Sequence, residues 1–228
     1  MAVLQFLKHQ PLFCWVNPLK ILTLLLATFF LFQGYGVEGF AQGTADIMHR
    51  AHGKKQQDLL IKTFEDILIS GREGDWEAVE NSIARIDDRV KKYDRIFGTR
   101  VRDKLGRSLA DKNQGEILKY LAQTIFLGIK EQFKLIMDSD QEDYLDSRAR
   151  LDRAKDYYLK ILSGNIKRRD LDRHVKIEGH FLLAQASLGN PGVFIDVPVM
   201  EGDIRSFQQA VSEIETEVIQ VYTYFNDD

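Results

Sequence analysis

His174 and Glu178 stand four residues apart in a stretch of helical pattern, so their side chains could share one helix face. An imidazole nitrogen and a carboxylate oxygen are ordinary ligands for a divalent transition metal. They supply two ligands, whereas a metal centre needs three or four. His180 follows Glu178 by two residues, about 200° further round an ideal helix, and cannot complete the same site. Carboxylate-bridged helical bundles repeat a Glu-x-x-His pair on a second helix, and no second pair occurs here. Asp170, four residues before His174, offers a simpler expectation, a surface ion pair. His49 and His52 are three apart and fall short of a metal site on the same ligand count.

The run Asp138-Ser139-Asp140-Gln141-Glu142-Asp143 begins like a calcium loop. It lacks the glycine required at the sixth position, and Ala149 stands where the twelfth requires Glu. An acidic helix N-terminus accounts for it better, because carboxylates there meet free N–H groups and the positive end of the helix dipole. Lys167-Arg168-Arg169 with Arg173 and Lys176 is the densest basic run, but Asp170 and Asp172 interrupt it. Asp146/Arg150 and Arg148/Asp152 at i,i+4 suggest an ion-paired, solvated helix surface. No Gly-x-Ser-x-Gly, HExxH, phosphate-cradling glycine loop or dinucleotide fingerprint is present. Nothing here points to an enzyme, and no cofactor is implied.

The elements that must position these residues are helices. Helical spacing predicts a first helix from Thr44 to Ser70, ended by Gly71 and Gly74. Asp75 should cap a second, whose stripe Trp76, Val79, Ile83, Ile86, Val90, Tyr93 and Phe97 runs to Gly98. A shorter piece carries Val101, Leu105 and Leu109. The helix from about Glu116 to Met137 has the widest apolar arc and belongs near the centre. Three more are expected: from Ser139 or Asp140 to Leu162, ended by Gly164; from Arg168 to Leu188; and from Asp203 to Phe225. The fold class is therefore all-α, an antiparallel helical bundle or short helical array of six to seven helices. The phrase Gly74-Asp75-Trp76-Glu77-Ala78-Val79 resembles the turn and second-helix start of a tetratricopeptide repeat. An array needs about three copies at a ~34-residue period, and no second copy is found, so an ordinary glycine turn with an Asp cap is the simpler explanation.

Between the last two helices lies an apolar loop, Gly189 to Gly202. Its Val193, Phe194, Ile195, Val197, Val199 and Met200 either plug the bundle or meet a partner, and plugging is the first expectation. As partner contacts the candidates are Val193, Phe194, Ile195 and Met200.

The N-terminal region sets the compartment. Ile21 to Phe32 is strongly apolar and follows Lys8 and Lys20. Twelve such residues fall short of the ~20 that cross a bilayer, which fits a signal-peptide h-region. Gly39-Phe40-Ala41 then places cleavage before Gln42. Leu12 to Val16 adds apolar length, and a retained membrane anchor is the alternative. Residues 1–41 are thus read as signal peptide or anchor, and 42–228 as a single α-helical domain. The only cysteine is Cys14, so 42–228 has neither disulfides nor a thiolate metal site. A net charge of −3 gives no reason to expect nucleic acid.

The function expected is that of an exported, non-enzymatic interaction or scaffold protein, in the periplasm or on the outer face of the membrane. Its partner is another envelope protein, and it meets the membrane only through residues 1–41 if these are retained. A periplasmic metal-binding or transport accessory using His174 and Glu178 is the competing expectation.

Overall fold

Aspartate and asparagine side chains start most of the helices. In the computed structural model, which describes residues 57–139, 143–190, 192 and 199–226, Asp58 accepts from Leu60 N and opens α1 (Leu59–Glu73). Asp75 accepts from Ala78 N and opens α2 (Trp76–Ala84). After α3 (Asp87–Phe97), Asp94 reaches forward to the Val101 and Arg102 amides and starts α4 (Val101–Ala110). Asn113 caps α5 (Gln114–Asp138) and Asp143 caps α6 (Tyr144–Tyr157). A π-helical turn, Tyr158–Leu162, continues α6 without a break into α7 (Ser163–Arg169). Asp170 caps α8 (Leu171–Ser187), Asp203 caps α9 (Ile204–Val221), and a short 3₁₀ turn, Thr223–Asn226, follows. Each such cap satisfies N–H groups that the helix cannot, and contributes about 1 kcal/mol.

The expected all-helical, bundle-like fold is what the described residues show, with eight continuous helices rather than six or seven. The only β pairing among them is an isolated bridge between Asn190 and Met200. The export segment and its cleavage position lie outside the described residues. Among those described, no helix is long and apolar enough to cross a membrane.

Three helices differ from expectation. α1 begins at Leu59 behind the Asp58 cap instead of running unbroken from Thr44, because the Asp58 backbone is extended and its side chain takes the Leu60 amide. The stripe from Trp76 to Phe97 does not lie on one helix, because the chain turns at Arg85 and Ile86. Its steps of three and four give a 3.5-residue period, which drifts about 20° per heptad on a straight helix. The turn resets that drift and keeps Val79, Ile86, Val90 and Tyr93 all buried. Gly164 does not end a helix either. The buried positions Ala154, Tyr158, Leu162 and Ile166 step by four, which would rotate about 40° per step on an α-helix. The wider π turn absorbs that rotation, and the helix runs on to Arg169.

α5 is the centre, as its apolar arc requires: α1, α3, α4, α6, α9 and the π turn all pack on it. Midway along α5, three neighbours close in on Gly128. A Cβ there would sit 3.1 Å from Tyr157 Cε2, 3.3 Å from the Tyr93 hydroxyl and 3.4 Å from Leu60 Cδ1. The two tyrosines cannot easily retreat, since Arg89 donates to the Tyr93 hydroxyl and the Tyr157 hydroxyl at 2.9 Å each. The same guanidinium pairs with Asp58 at 3.3 Å. The Tyr93 hydroxyl donates to the buried carboxylate of Glu131, which also pairs with Lys92 at 2.6 Å. Three helices are thereby fixed to one side of α5.

Gly128→Ala tests this packing. Alanine favours a helix by about 1 kcal/mol over glycine, whereas overpacking a rigid core costs about 1–3 kcal/mol. A net destabilisation on the order of 1 kcal/mol is expected, seen as a fall of a few degrees in the thermal melt. An unchanged or raised Tm would contradict the close approach.

Candidate functional site

His174 is 4 % exposed. Its Nδ1 lies 2.6 Å from the Tyr158 hydroxyl and its Nε2 lies 3.3 Å from Glu178 Oε2. The expected ion pair with Asp170 does not form, because Asp170 turns to the Arg173 amide and guanidinium. Burial lowers the imidazole pKa below its ordinary value, more than Glu178 raises it. Burial likewise raises the Tyr158 phenol, with help from Glu178. A neutral ring that accepts the Tyr158 proton at Nδ1 and donates Nε2–H to Glu178 satisfies all three groups. The chain hydroxyl–imidazole–carboxylate resembles a nucleophile relay in order only. Tyr158 is fully buried, so no reactant reaches its oxygen. The structure thus brings His174 and Glu178 together, each ring nitrogen already with a partner. Among the described residues no three His, Cys, Asp or Glu side chains converge as metal ligands.

α8 is apolar on two faces. Its inner stripe, with Ile177, Phe181, Ala184 and Leu188, packs into the core. Its outer stripe holds Leu171 at 61 %, Val175 at 61 % and Leu182 at 58 % exposure, with Leu183 beside them at 58 %. At about 100° per residue, Leu171, Val175, Leu182 and Ala186 fall within roughly 60° of arc. Gly179 lies in the middle, and a Cβ there would meet nothing within 4 Å. Glu178 borders one side of the stripe, and Asp172 and Lys176 border the other.

The apolar loop is anchored at the end of this helix. Gly189 has φ +74°, and a Cβ on it would stand 2.5 Å from the Met200 carbonyl oxygen. Asn190 and Met200 exchange backbone hydrogen bonds of 2.8 and 2.9 Å. Asp203 N then donates to Ser187 O at 2.8 Å. At this end the loop does not plug the bundle: Val199 is 73 % and Met200 56 % exposed. Val193, Phe194 and Ile195 lie outside the described residues.

Two arginines of the basic run are structural. Arg173 bonds Glu217 and Gln220 on α9, and Arg169 donates to the Val221 carbonyl. Asp146–Arg150 and Arg148–Asp152 form the i,i+4 pairs expected of an exposed helix. Asp138 pairs with Lys134 and Asp143 caps α6, so each has a role without calcium.

Two grooves stand out on the surface of the described residues. One lies over Val90 and Leu105, and the bidentate Arg102–Asp87 pair, at 2.6 and 2.9 Å, lies along it. The other, of about 750 Å³, has Phe64, Leu68, Leu118 and Ile161 as its apolar floor. Lys119, Arg168 and Tyr224 also line it. Lys119 stacks over the Tyr224 ring at 5.1 Å and pairs with Glu116 at 3.2 Å. Arg168 bonds Asn165, and among the described residues no carboxylate pairs with it. Burial pushes the Tyr224 phenol upward, so it stays protonated near neutral pH.

Comparison of the chain with protein families, curated proteins and solved structures finds no match. Function therefore rests on this geometry. The outer stripe of α8 is not among the sites expected from the sequence, although its signal is present: Leu171, Val175 and Leu182 repeat at coiled-coil spacing alongside a separate inner stripe. The second groove has no comparable signal, because its walls come from α1, α5, the π turn, α7 and the C-terminal turn.

His174 gives a pH dependence of known sign. Its folded pKa is depressed, so the unfolded chain binds the proton more readily. Stability is full above the ordinary histidine range, near ~6.5, and falls as the pH drops through it. Urea melts between pH 8 and pH 5 should show a steeper loss for the wild type than for His174→Gln. Parallel curves would contradict the buried neutral imidazole.

Proposed function

We propose that the protein is a non-enzymatic, exported helical interaction module of the cell envelope, with the outer face of α8 as its contact surface. The observation that carries this reading is the stripe Leu171, Val175 and Leu182 with Leu183, on a helix whose other face already fills the core. Four side chains near 60 % exposure amount to roughly 400 Å² of exposed surface on the outer side of one helix. A grouping of that size matches the largest apolar patch of a typical monomer, which is often functional, whereas scattered exposed leucines are not. Val199 and Met200 adjoin the end of the same helix; the other candidate partner residues of that loop, Val193, Phe194 and Ile195, lie outside the described residues. The helices are read as a short antiparallel array that presents α8 on its outside. Export rests on the apolar segment Ile21 to Phe32 behind Lys8 and Lys20. The partner is another envelope protein.

The competing reading is a metal-binding or transport accessory. In its favour, His174 and Glu178 are 3.3 Å apart. Against it, a metal at this site would have to displace the Tyr158 or Glu178 hydrogen bond and find further ligands. Stoichiometric metal in protein purified without added metal, lost in His174→Ala, would favour it over the interaction reading.

Leu182→Asp should abolish retention of a stoichiometric partner from envelope extract. Its helical CD melt should stay within about 0.5 kcal/mol of the wild type, as for other exposed substitutions. Unchanged retention would overturn the proposal. A lost partner with a melt several degrees lower would assign Leu182 to the core instead.

A further inference from the structure

The second groove meets the α8 surface in no element, and its chemistry is different. Four half-buried apolar side chains, Phe64, Leu68, Leu118 and Ile161, form one continuous floor from three separate elements. Two cations line the same groove, one on α5 and one on α7. Lys119 already neutralises Glu116, which leaves Arg168 as positive charge without a carboxylate among the described residues. Tyr224 lines the groove too, its ring 5.1 Å from the Lys119 ammonium, and burial keeps its phenol protonated. Gly164 lines the groove, and a Cβ there would meet nothing within 4 Å. Gly164 follows the π turn by two residues, and such turns cluster at functional sites.

The volume is that of a small-molecule site, for which ~300–1,000 Å³ is usual. An extended peptide would find little to bind, because the walls are mostly helical and a helix uses its backbone N–H groups internally. An apolar floor with cations and a phenol donor complements a single anionic head on an aliphatic tail. We infer that this groove binds a single-chain aliphatic carboxylate. The tail lies on Phe64, Leu68, Leu118 and Ile161, and the head meets Arg168, Lys119 and Tyr224. This inference is independent of the α8 interface.

Calorimetric titration of the full chain with dodecanoate below its micelle concentration tests it. One saturable site is expected. Dodecanol, which keeps the tail and lacks the charge, should bind at least ten-fold more weakly, and Arg168→Gln should weaken dodecanoate about ten-fold. Gly164→Phe fills the groove from an exposed position and should abolish binding while the thermal melt is retained. Equal affinity for dodecanol would overturn the assigned head-group contacts. Binding that survives Gly164→Phe would place the ligand elsewhere and overturn the site. Absence of saturable binding, or displacement of dodecanoate by an acidic peptide that binds more tightly, would overturn the ligand class.

Discussion

The Arg89 guanidinium holds α1, α3 and α6 against α5, and much of the fold follows from where that contact is made. It reaches the α1 cap Asp58, the α3 hydroxyl of Tyr93 and the α6 hydroxyl of Tyr157. Tyr93 passes the connection to Glu131, which is 7 % exposed on α5. Each polar group in the set therefore has a partner, as burial demands. Glycine at 128 is what lets the rings come close enough for these bonds to form. Apolar packing supplies most of the stabilisation, but it is indifferent to register. The hydrogen bonds add direction, so that three helices meet α5 at one height. Removing one partner would leave a buried hydroxyl or carboxylate unpaired, which costs more than a typical single bond contributes.

With the core closed around α5, the outer face of α8 is left over. α8 packs chiefly on α9, and Arg173 fixes that pair through Glu217 and Gln220. The inner stripe completes this packing without Leu171, Val175 or Leu182. The polar chain Tyr158–His174–Glu178 ends at the border of the exposed stripe, where the Glu178 side chain is 42 % exposed. It satisfies a buried imidazole and a buried phenol together, which explains why a histidine sits in an otherwise apolar seam. Its role is then to hold α8 on the π turn, and the outer apolar side chains remain free for another surface.

The helices and the central place of α5 are legible in the sequence. Asp75 and the glycine turns at Gly74 and Gly98 carry local signals that tertiary packing does not override, whereas Asp58 and Asp143 are the caps in place of the expected Thr44 and Ser139 or Asp140. The break at Arg85–Ile86 is less visible, because a 3.5-residue stripe reads as continuous whether or not the helix bends. The π turn is hidden for a related reason: glycine at 164 suggests an end, while the step of four through Tyr158, Leu162 and Ile166 is the informative pattern. The site is harder. His174 and Glu178 are legible as a pair, but Tyr158, their third member, comes from another helix and only tertiary structure supplies it. The groove at Phe64 and Arg168 is likewise assembled from distant segments.

Native-state hydrogen exchange on the intact chain tests most directly whether the Arg89 contact sets this architecture. Amides of α5 and the facing turns of α1, α3 and α6 are expected to exchange through a shared opening, at a common free energy close to that of global unfolding. If α1 or α6 opened well below α5, independently of it, the contact at Arg89 and Gly128 would be a local detail, and its role in setting the architecture would be contradicted.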